Sequence, residues 1–248
     1  MLGALLLACA SLFTPAEGRD QAAIEAFRRG DFDSAASLWT AVLEDSSALS
    51  DAERGRILYD IGNAVYRKGN VVESVGWYTA SLRLRPRDAD AWKNLEYARA
   101  TAKLDPADRG DLASTAWRVF TSLTARESRW LALSGVLVGF AALAAEALRG
   151  GRVLRRLAWL GLVVALAAAS PWVYHRTHDD RDTALVLEAT DHGADVRSEP
   201  RSDATVVGNV ASGAEVERLD ELPGWVKVEL PGGNSGWIES RAAFSLKR

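Results

Sequence analysis

The sequence predicts a multidomain membrane protein with an all-α module, a hairpin of two transmembrane helices and an all-β module, in that order. Three observations predict this class. Small and aromatic residues recur at helical spacing over residues 20–104. Two apolar stretches without a polar side follow at residues 130–148 and 157–174. Apolar residues then alternate with polar ones over residues 183–248, between glycine- and proline-containing turns.

Residues 130–148 and 157–174 are predicted to cross a membrane. At about 1.5 Å rise per residue each spans roughly 28 Å, close to the hydrocarbon thickness of a bilayer. The loop 149–156 between them is short and rich in arginine, which predicts a hairpin with its loop in the cytoplasm. Both flanking modules would then lie on the opposite side. A buried helix pair inside a soluble domain is the alternative.

Residues 1–16 are predicted to be a secretory signal peptide. The stretch is apolar and uncharged, and Thr14 and Ala16 are small enough for a cleavage site after Ala16. The residues before Cys9 also resemble a lipoprotein signal, so cleavage and lipidation both stay open. Export of this end would place the helical module outside the cytoplasm.

Composition and motifs argue against several classes of function. The formal net charge of −3 gives no electrostatic reason to expect nucleic acid. The sequence contains one cysteine and three histidines, and we find no catalytic triad, phosphate-binding loop, cofactor motif or metal-ligand set in it. We therefore expect a protein without enzymatic activity, cofactor or bound metal.

The pattern of small, aromatic and turn residues over 58–86 resembles a tetratricopeptide repeat. The matching positions are Ile61, Gly62, Gly69, Asn70, Ser74, Tyr78, Ser81 and Pro86. A second copy with its turn at Gly30-Asp31 occupies residues 22–39, and the polar stretch 45–51 accounts for its extra spacing. A further helix starts near Ala91. The resemblance implies two antiparallel helix pairs and a capping helix within residues 20–104.

The tetratricopeptide resemblance also implies a protein-binding groove. In that family the first helix of each repeat lines the concave face. The corresponding positions here are Tyr59, Asn63, Tyr66, Arg67, Lys93 and Tyr97. An asparagine with lysine and arginine nearby suits a peptide carboxylate. A plain solvated face is the alternative for each of these residues.

Residues 105–129 are predicted to connect the helical module to the membrane. Leu112, Trp117, Phe120 and Leu123 recur at near-helical spacing after the breaks at Asp105-Pro106 and Gly110-Asp111. This spacing favours a helix that either lies on the membrane surface or packs against the helical module.

Small residues in the two predicted spans mark a packing face. They are Gly135, Gly139, Gly161, Ala165 and Ala169. In lipid, small residues let helix backbones approach closely. The face either closes the hairpin on itself or docks onto the membrane helices of another protein.

Residues 183–248 resemble a bacterial SH3 domain. The motifs Val-Arg-Ser-Glu-Pro at 196–200, Gly-Trp-Val-Lys-Val at 224–228 and Gly-Trp-Ile at 236–238 match its signature, together with the turn at Gly213. The resemblance implies a small β-barrel that binds proteins or cell-wall peptides. Trp225 and Trp237 either form its ligand-contacting surface or simply complete the barrel.

The order of these parts resembles the BatE family of bacterial aerotolerance operons. This resemblance implies a non-enzymatic component of the inner membrane with both soluble modules in the periplasm. The implied partners are von Willebrand A-domain proteins and a MoxR-type ATPase. Peptidoglycan binding through the SH3-like barrel is the alternative function.

Overall fold

The computed structural model describes residues 15–45, 49–107, 112–150, 152–178, 183–187, 193–230 and 233–246. The predicted signal peptide lies almost wholly outside these residues. The chain divides into two compact units. Unit 1 combines the N-terminal helices with the C-terminal strands, and unit 2 comprises residues 108–181 between them.

The N-terminal part of unit 1 is helical, as predicted. Its helices are α1 (Pro15–Arg28), α2 (Phe32–Asp45), α3 (Asp51–Arg67), α4 (Val71–Leu84) and α5 (Ala89–Thr101). Each helix packs on the next in chain order. Gly30 and Gly69 adopt φ values of +81° and +94° between paired helices, a conformation that side chains disfavour. We call these five helices the helical module; their assignment to the tetratricopeptide family stays a prediction.

The N-terminus of α3 is fixed by a capping box. The Ser50 hydroxyl accepts a hydrogen bond from the Glu53 backbone N–H, and the Ser50 N–H donates to the Glu53 carboxylate at 2.9 Å. These bonds satisfy two groups that the start of a helix leaves unpaired. The end of the polar stretch 45–51 therefore forms the start of a helix.

In the C-terminal part of unit 1, the described residues form a single antiparallel sheet of seven strands. They are β1 (Thr183–Val186), β2 (Ala194–Arg197), β3 (Val206–Val210), β4 (Glu215–Leu222), β5 (Trp225–Glu229), β6 (Ser235–Glu239) and β7 (Ala243–Ser245), with a short 3₁₀ helix at Ser240–Ala242. The strand order is β3-β2-β6-β5-β4-β1-β7. Val196, Val226, Val228 and Ile238 form the centre of its core. This β-module is consistent with the predicted SH3-like fold.

Strand β1 is buried on both faces, and strand β7 beside it is buried on the face that carries Phe244. Ala184 and Val186 belong to the core of the β-module, whereas Leu185 between them belongs to the core of the helical module. Phe244 of β7 and Leu246 just beyond it also lie in the helical core. Since successive side chains of a strand point to opposite faces, this strand pair is shared by two cores.

Helix α4 provides much of the surface that receives these strands. The rings of Trp77 and Phe244 meet edge to face with centroids 5.0 Å apart. A Cβ atom at Gly76 would lie only 2.6 Å from the Phe244 ring, so the close approach needs glycine there. An ion pair between Arg83 and Glu215, 2.9 Å long, adds a polar contact. The helical module and the β-module therefore form one folded unit.

Unit 2 contains α6 (Leu112–Ser122), α7 (Ala125–Arg149) and α8 (Arg152–His178). Segments Arg126–Leu148 and Arg152–Pro171 are long and apolar enough to cross a membrane, and few of their residues are buried within the protein. In length and composition, these helices agree with the predicted hairpin.

The turn between α7 and α8 is tighter than the predicted loop 149–156. Gly150 ends α7 with φ +66°, and helix α8 already begins at Arg152. The prediction of a loop through residue 156 was therefore wrong. Arginine is a good helix former, and the turn needs little more than the positive φ that glycine provides. Arg155, now on the first turns of α8, lies 3.8 Å from the Glu146 carboxylate.

A cluster of charged side chains ties α1 to α3 in the helical module. The Arg56 guanidinium donates to Asp20 at 2.7 Å and to Asp60 at 2.9 Å. The Trp39 indole N–H donates to the other oxygen of Asp20 at 2.8 Å. Burial raises the pKa of Asp60 to about 6, although the Arg56 charge opposes this shift.

The raised pKa of Asp60 predicts a pH-dependent stability. At pH values between the unfolded pKa of 3.8 and the folded pKa of about 6, the Asp60 carboxyl is protonated in the folded protein and ionised in the unfolded chain. Relative to Asp60→Asn, the wild-type free energy of unfolding should therefore be highest below pH 4. It should fall by up to about 3 kcal/mol as the pH rises through 6. Denaturation of the full-length wild type and of Asp60→Asn in detergent, across this pH range, measures the two free energies of unfolding. A difference between them that does not change with pH would contradict the raised pKa of Asp60.

Candidate functional site

A pocket of about 310 Å³ opens in the helical module. Its walls come from α1, α3, α4 and α5. The lining residues are Phe27, Asn63, Tyr66, Arg67, Tyr78, Asn94 and Tyr97. Four of the six predicted groove residues therefore lie together around one cavity: Asn63, Tyr66, Arg67 and Tyr97.

Hydrogen bonds between side chains fix the polar part of the pocket. The Asn63 side-chain oxygen accepts from the Tyr78 hydroxyl and from the Asn94 amide, each at 2.9 Å. The Asn94 amide also donates to the Tyr59 hydroxyl at 3.1 Å. Burial raises the pKa of Tyr78 far above its usual range, so its hydroxyl stays a donor. Within the described part of the chain, the Asn63 side-chain oxygen is occupied by these two donors, whereas its amide nitrogen forms no hydrogen bond.

The approach of α3 to α4 makes this network possible. A Cβ atom at Gly62 would lie 2.8 Å from the Tyr78 ring. With glycine there, the Tyr78 ring lies against the α3 backbone and its hydroxyl reaches Asn63, one residue further along the chain. The predicted Ile61-Gly62 pair thus positions a pocket residue as well as packing two helices.

The rest of the pocket combines aromatic rings with one cation. The rings of Tyr66 and Tyr97 lie 5.8 Å apart, and Tyr97 is 65% exposed. The Arg67 guanidinium lies 5.2 Å from the centroid of the Phe32 ring, which orients it by a cation–π contact. Among the described residues, Arg67 forms no ion pair. The pocket therefore offers apolar walls beside N–H donors, a combination that suits a side chain or chain end bearing a negative charge.

Two predicted groove residues take other positions. The Tyr59 hydroxyl accepts a hydrogen bond from the Asn94 amide, but Tyr59 does not line the cavity. Lys93 is exposed on α5 and is likewise not part of the lining. The sequence interpretation did not place Phe27, Tyr78 or Asn94 in the groove. For Asn94 a signal existed, because it follows Asn63 by 31 residues, close to one repeat period.

Trp225 and Trp237 lie on the same face of the β-module. The register pairs Trp225 with Glu239 and Lys227 with Trp237, whereas the intervening Val226 pairs with Ile238 inside the core. Both tryptophans are half-buried, and the Lys227 ammonium lies 5.9 Å from the Trp237 ring centroid. Each indole thus packs on the sheet while part of it remains accessible for contact.

Small residues face each other where α7 meets α8. A Cβ atom at Gly135 would lie 3.0 Å from the Ala165 Cβ, and one at Gly161 would lie 3.1 Å from the Gly139 backbone nitrogen. Ala169 is half-buried further along α8. Four of the five predicted packing residues, all but Ala169, therefore contact one another within the hairpin.

No candidate metal site appears in the part of the chain that the structure describes, where no group of three or more His, Cys, Asp or Glu side chains converges. His175 and His178, the two histidines that lie closest together in the sequence, have side chains outside that part.

Comparison with known proteins identifies part of the β-module. Residues 192–242 match the bacterial SH3 domain family. The chain matches no curated protein and no solved structure. The predicted SH3 resemblance is confirmed, whereas the tetratricopeptide and aerotolerance resemblances lie outside the matched residues and stay predictions. The match includes β2 to β6 and leaves out β1 and β7, the two strands whose outer faces lie in the helical core.

Proposed function

We propose that this protein is a non-enzymatic, membrane-anchored adaptor that presents a tetratricopeptide-type pocket and a bacterial SH3 domain to other proteins outside the cytoplasm. Its partners, on this proposal, are von Willebrand A-domain membrane proteins that work with a MoxR-type ATPase. The observation that carries the proposal is the pocket, where the exposed ring of Tyr97 lines the same cavity as Arg67 and Asn63. Such aromatic and arginine side chains dominate the binding energy of protein interfaces.

The shared core of unit 1 supports a hairpin topology. A packed interface such as Trp77–Phe244 forms only if both modules lie on the same side of the bilayer. The chain between them must then cross the membrane an even number of times, and α7 and α8 satisfy this requirement. Arginines near the turn favour a cytoplasmic turn. Bacterial SH3 domains are typically extracytoplasmic, which supports the same orientation.

Substitution of Arg67 tests the adaptor proposal. Tagged full-length protein is crosslinked in cells and purified, and the recovered membrane proteins are quantified. Arg67→Ala should reduce recovery of the specific partners by about 10- to 100-fold, because a charge-assisted hydrogen bond contributes about 1.5–3 kcal/mol. Lys93→Ala is the matched control, since it removes a cation from the same module outside the pocket. Equal recovery with both variants would contradict a pocket-based adaptor.

Cell-wall binding is the second candidate function, and the SH3 match with two tryptophans on one face favours it. On this alternative, full-length protein in detergent is retained by purified sacculi, and Trp237→Ala reduces retention. Retention that is unchanged by Trp237→Ala and by Trp225→Ala would rule out this face as the binding surface.

A further inference from the structure

Helix α6 has one apolar side and one polar side. At 100° per residue, Leu112, Ala116, Val119 and Phe120 fall within one arc, and Leu123 just beyond the helix continues it. Ser114, Thr115, Arg118 and Ser122 fall on the opposite arc. Leu112 and Val119 are 90% and 61% exposed, so part of the apolar side lacks protein cover. An amphipathic helix of this kind requires an apolar surface to cover it.

The chain places α6 directly before the first apolar helix. Only Leu123 and Thr124 separate its last residue from α7, and the Thr124 capping box fixes the start of α7. With 11 residues, α6 is about 16 Å long, which is too short to cross a bilayer. In residues 112–129, three exposed arginines at 118, 126 and 129 outnumber the single acid Glu127, and this net positive charge suits anionic lipid headgroups.

We propose that α6 lies in the plane of the membrane surface, with its apolar side in the boundary between headgroups and acyl chains. The occupant of this side is lipid, because α6 is continuous with a helix that would itself be surrounded by lipid. The helix would hold the entry of the hairpin at headgroup depth. This proposal rests on the membrane anchorage proposed above.

Site-directed fluorescence in full-length protein tests the placement of α6. The protein carries Cys9→Ala so that each introduced cysteine is unique, and it is reconstituted in nanodiscs of phosphatidylethanolamine and phosphatidylglycerol. An environment-sensitive fluorophore is attached at Ala116→Cys, at Ser114→Cys or at Leu137→Cys. Positions 114 and 116 are nearly opposite on the helix, whereas Leu137 is an exposed apolar residue of α7. Lipids with a nitroxide near the headgroup or near the chain end serve as quenchers.

Of the two labelled positions in α6, only position 116 is expected to contact lipid, at the depth of the headgroups. The headgroup-level nitroxide should quench the label at Ala116→Cys by at least about threefold more than the label at Ser114→Cys. The label at Leu137→Cys should respond most to the deep nitroxide. Equal quenching at 114 and 116, with deep quenching at 137, would overturn the surface helix and leave the membrane anchor intact. Loss of deep quenching at Leu137→Cys would overturn the anchor itself.

Discussion

Phe244→Ala is expected to destabilise the helical module and the β-module together, by about 3–5 kcal/mol in the free energy of unfolding. Phe244 is only 4% exposed and its side chain lies in the core of the helical module, although its backbone belongs to strand β7 of the sheet. Removal of the ring leaves a cavity beside Trp77 and Gly76 that the neighbouring backbone cannot easily fill. Because the strand pair is shared, loss of this contact should weaken both cores.

Hydrogen exchange of the full-length protein in detergent measures this effect in each module separately. In Phe244→Ala, amide protection should fall both in α4 and in β1. Val207→Ala is the matched control, since it truncates a half-exposed residue on edge strand β3 of the same sheet. It should leave both regions close to wild type. Loss of protection in β1 with none in α4 would contradict a shared core.

The sequence pattern predicted the strands of the β-module, but it did not predict that β1 and β7 also pack against the helical module. A period of two implies one buried face, and this holds for β5, where Val226 and Val228 are buried between more exposed neighbours. Residues 184–187 are all apolar, a pattern typical of a strand covered on both faces. Phe244 and Leu246 flank Ser245 and read as an ordinary one-faced strand. Which core that face joins depends on the docking of whole modules, which no local pattern specifies.

The pocket residues that share one helix could be predicted from the sequence. Those that come from another helix could not, because the packing of the helices decides whether they reach the pocket. Asn63, Tyr66 and Arg67 share a side of α3, so their spacing was sufficient. Phe27 enters from α1, whose approach to α3 is set by tertiary packing. Lys93 precedes Asn94 by one residue, and this rotation of 100° suffices to move a side chain off the lining.

The hairpin of α7 and α8 offers the second large effect, which is expected for Gly161→Leu. A Cβ atom at this position would lie 3.1 Å from the Gly139 nitrogen and 3.2 Å from the Gly135 carbonyl oxygen. Both are backbone atoms of α7, so neither can rotate away, and a leucine would force the helices apart. Overpacking of a close contact costs about 1–3 kcal/mol, and lost backbone contact adds to it because in lipid helices associate mainly through packing.

Unfolding of the full-length protein by dodecyl sulfate in mixed micelles, followed by tryptophan fluorescence, measures this cost. Gly161→Leu should lower the midpoint for loss of the hairpin. Val163→Leu is the matched control, because it changes an exposed residue two positions along α8. Its midpoint should equal that of the wild type, since that side chain faces away from α7. If Gly161→Leu also left the midpoint unchanged, the hairpin would not close on its glycine face, and this face would remain available to the membrane helices of another protein.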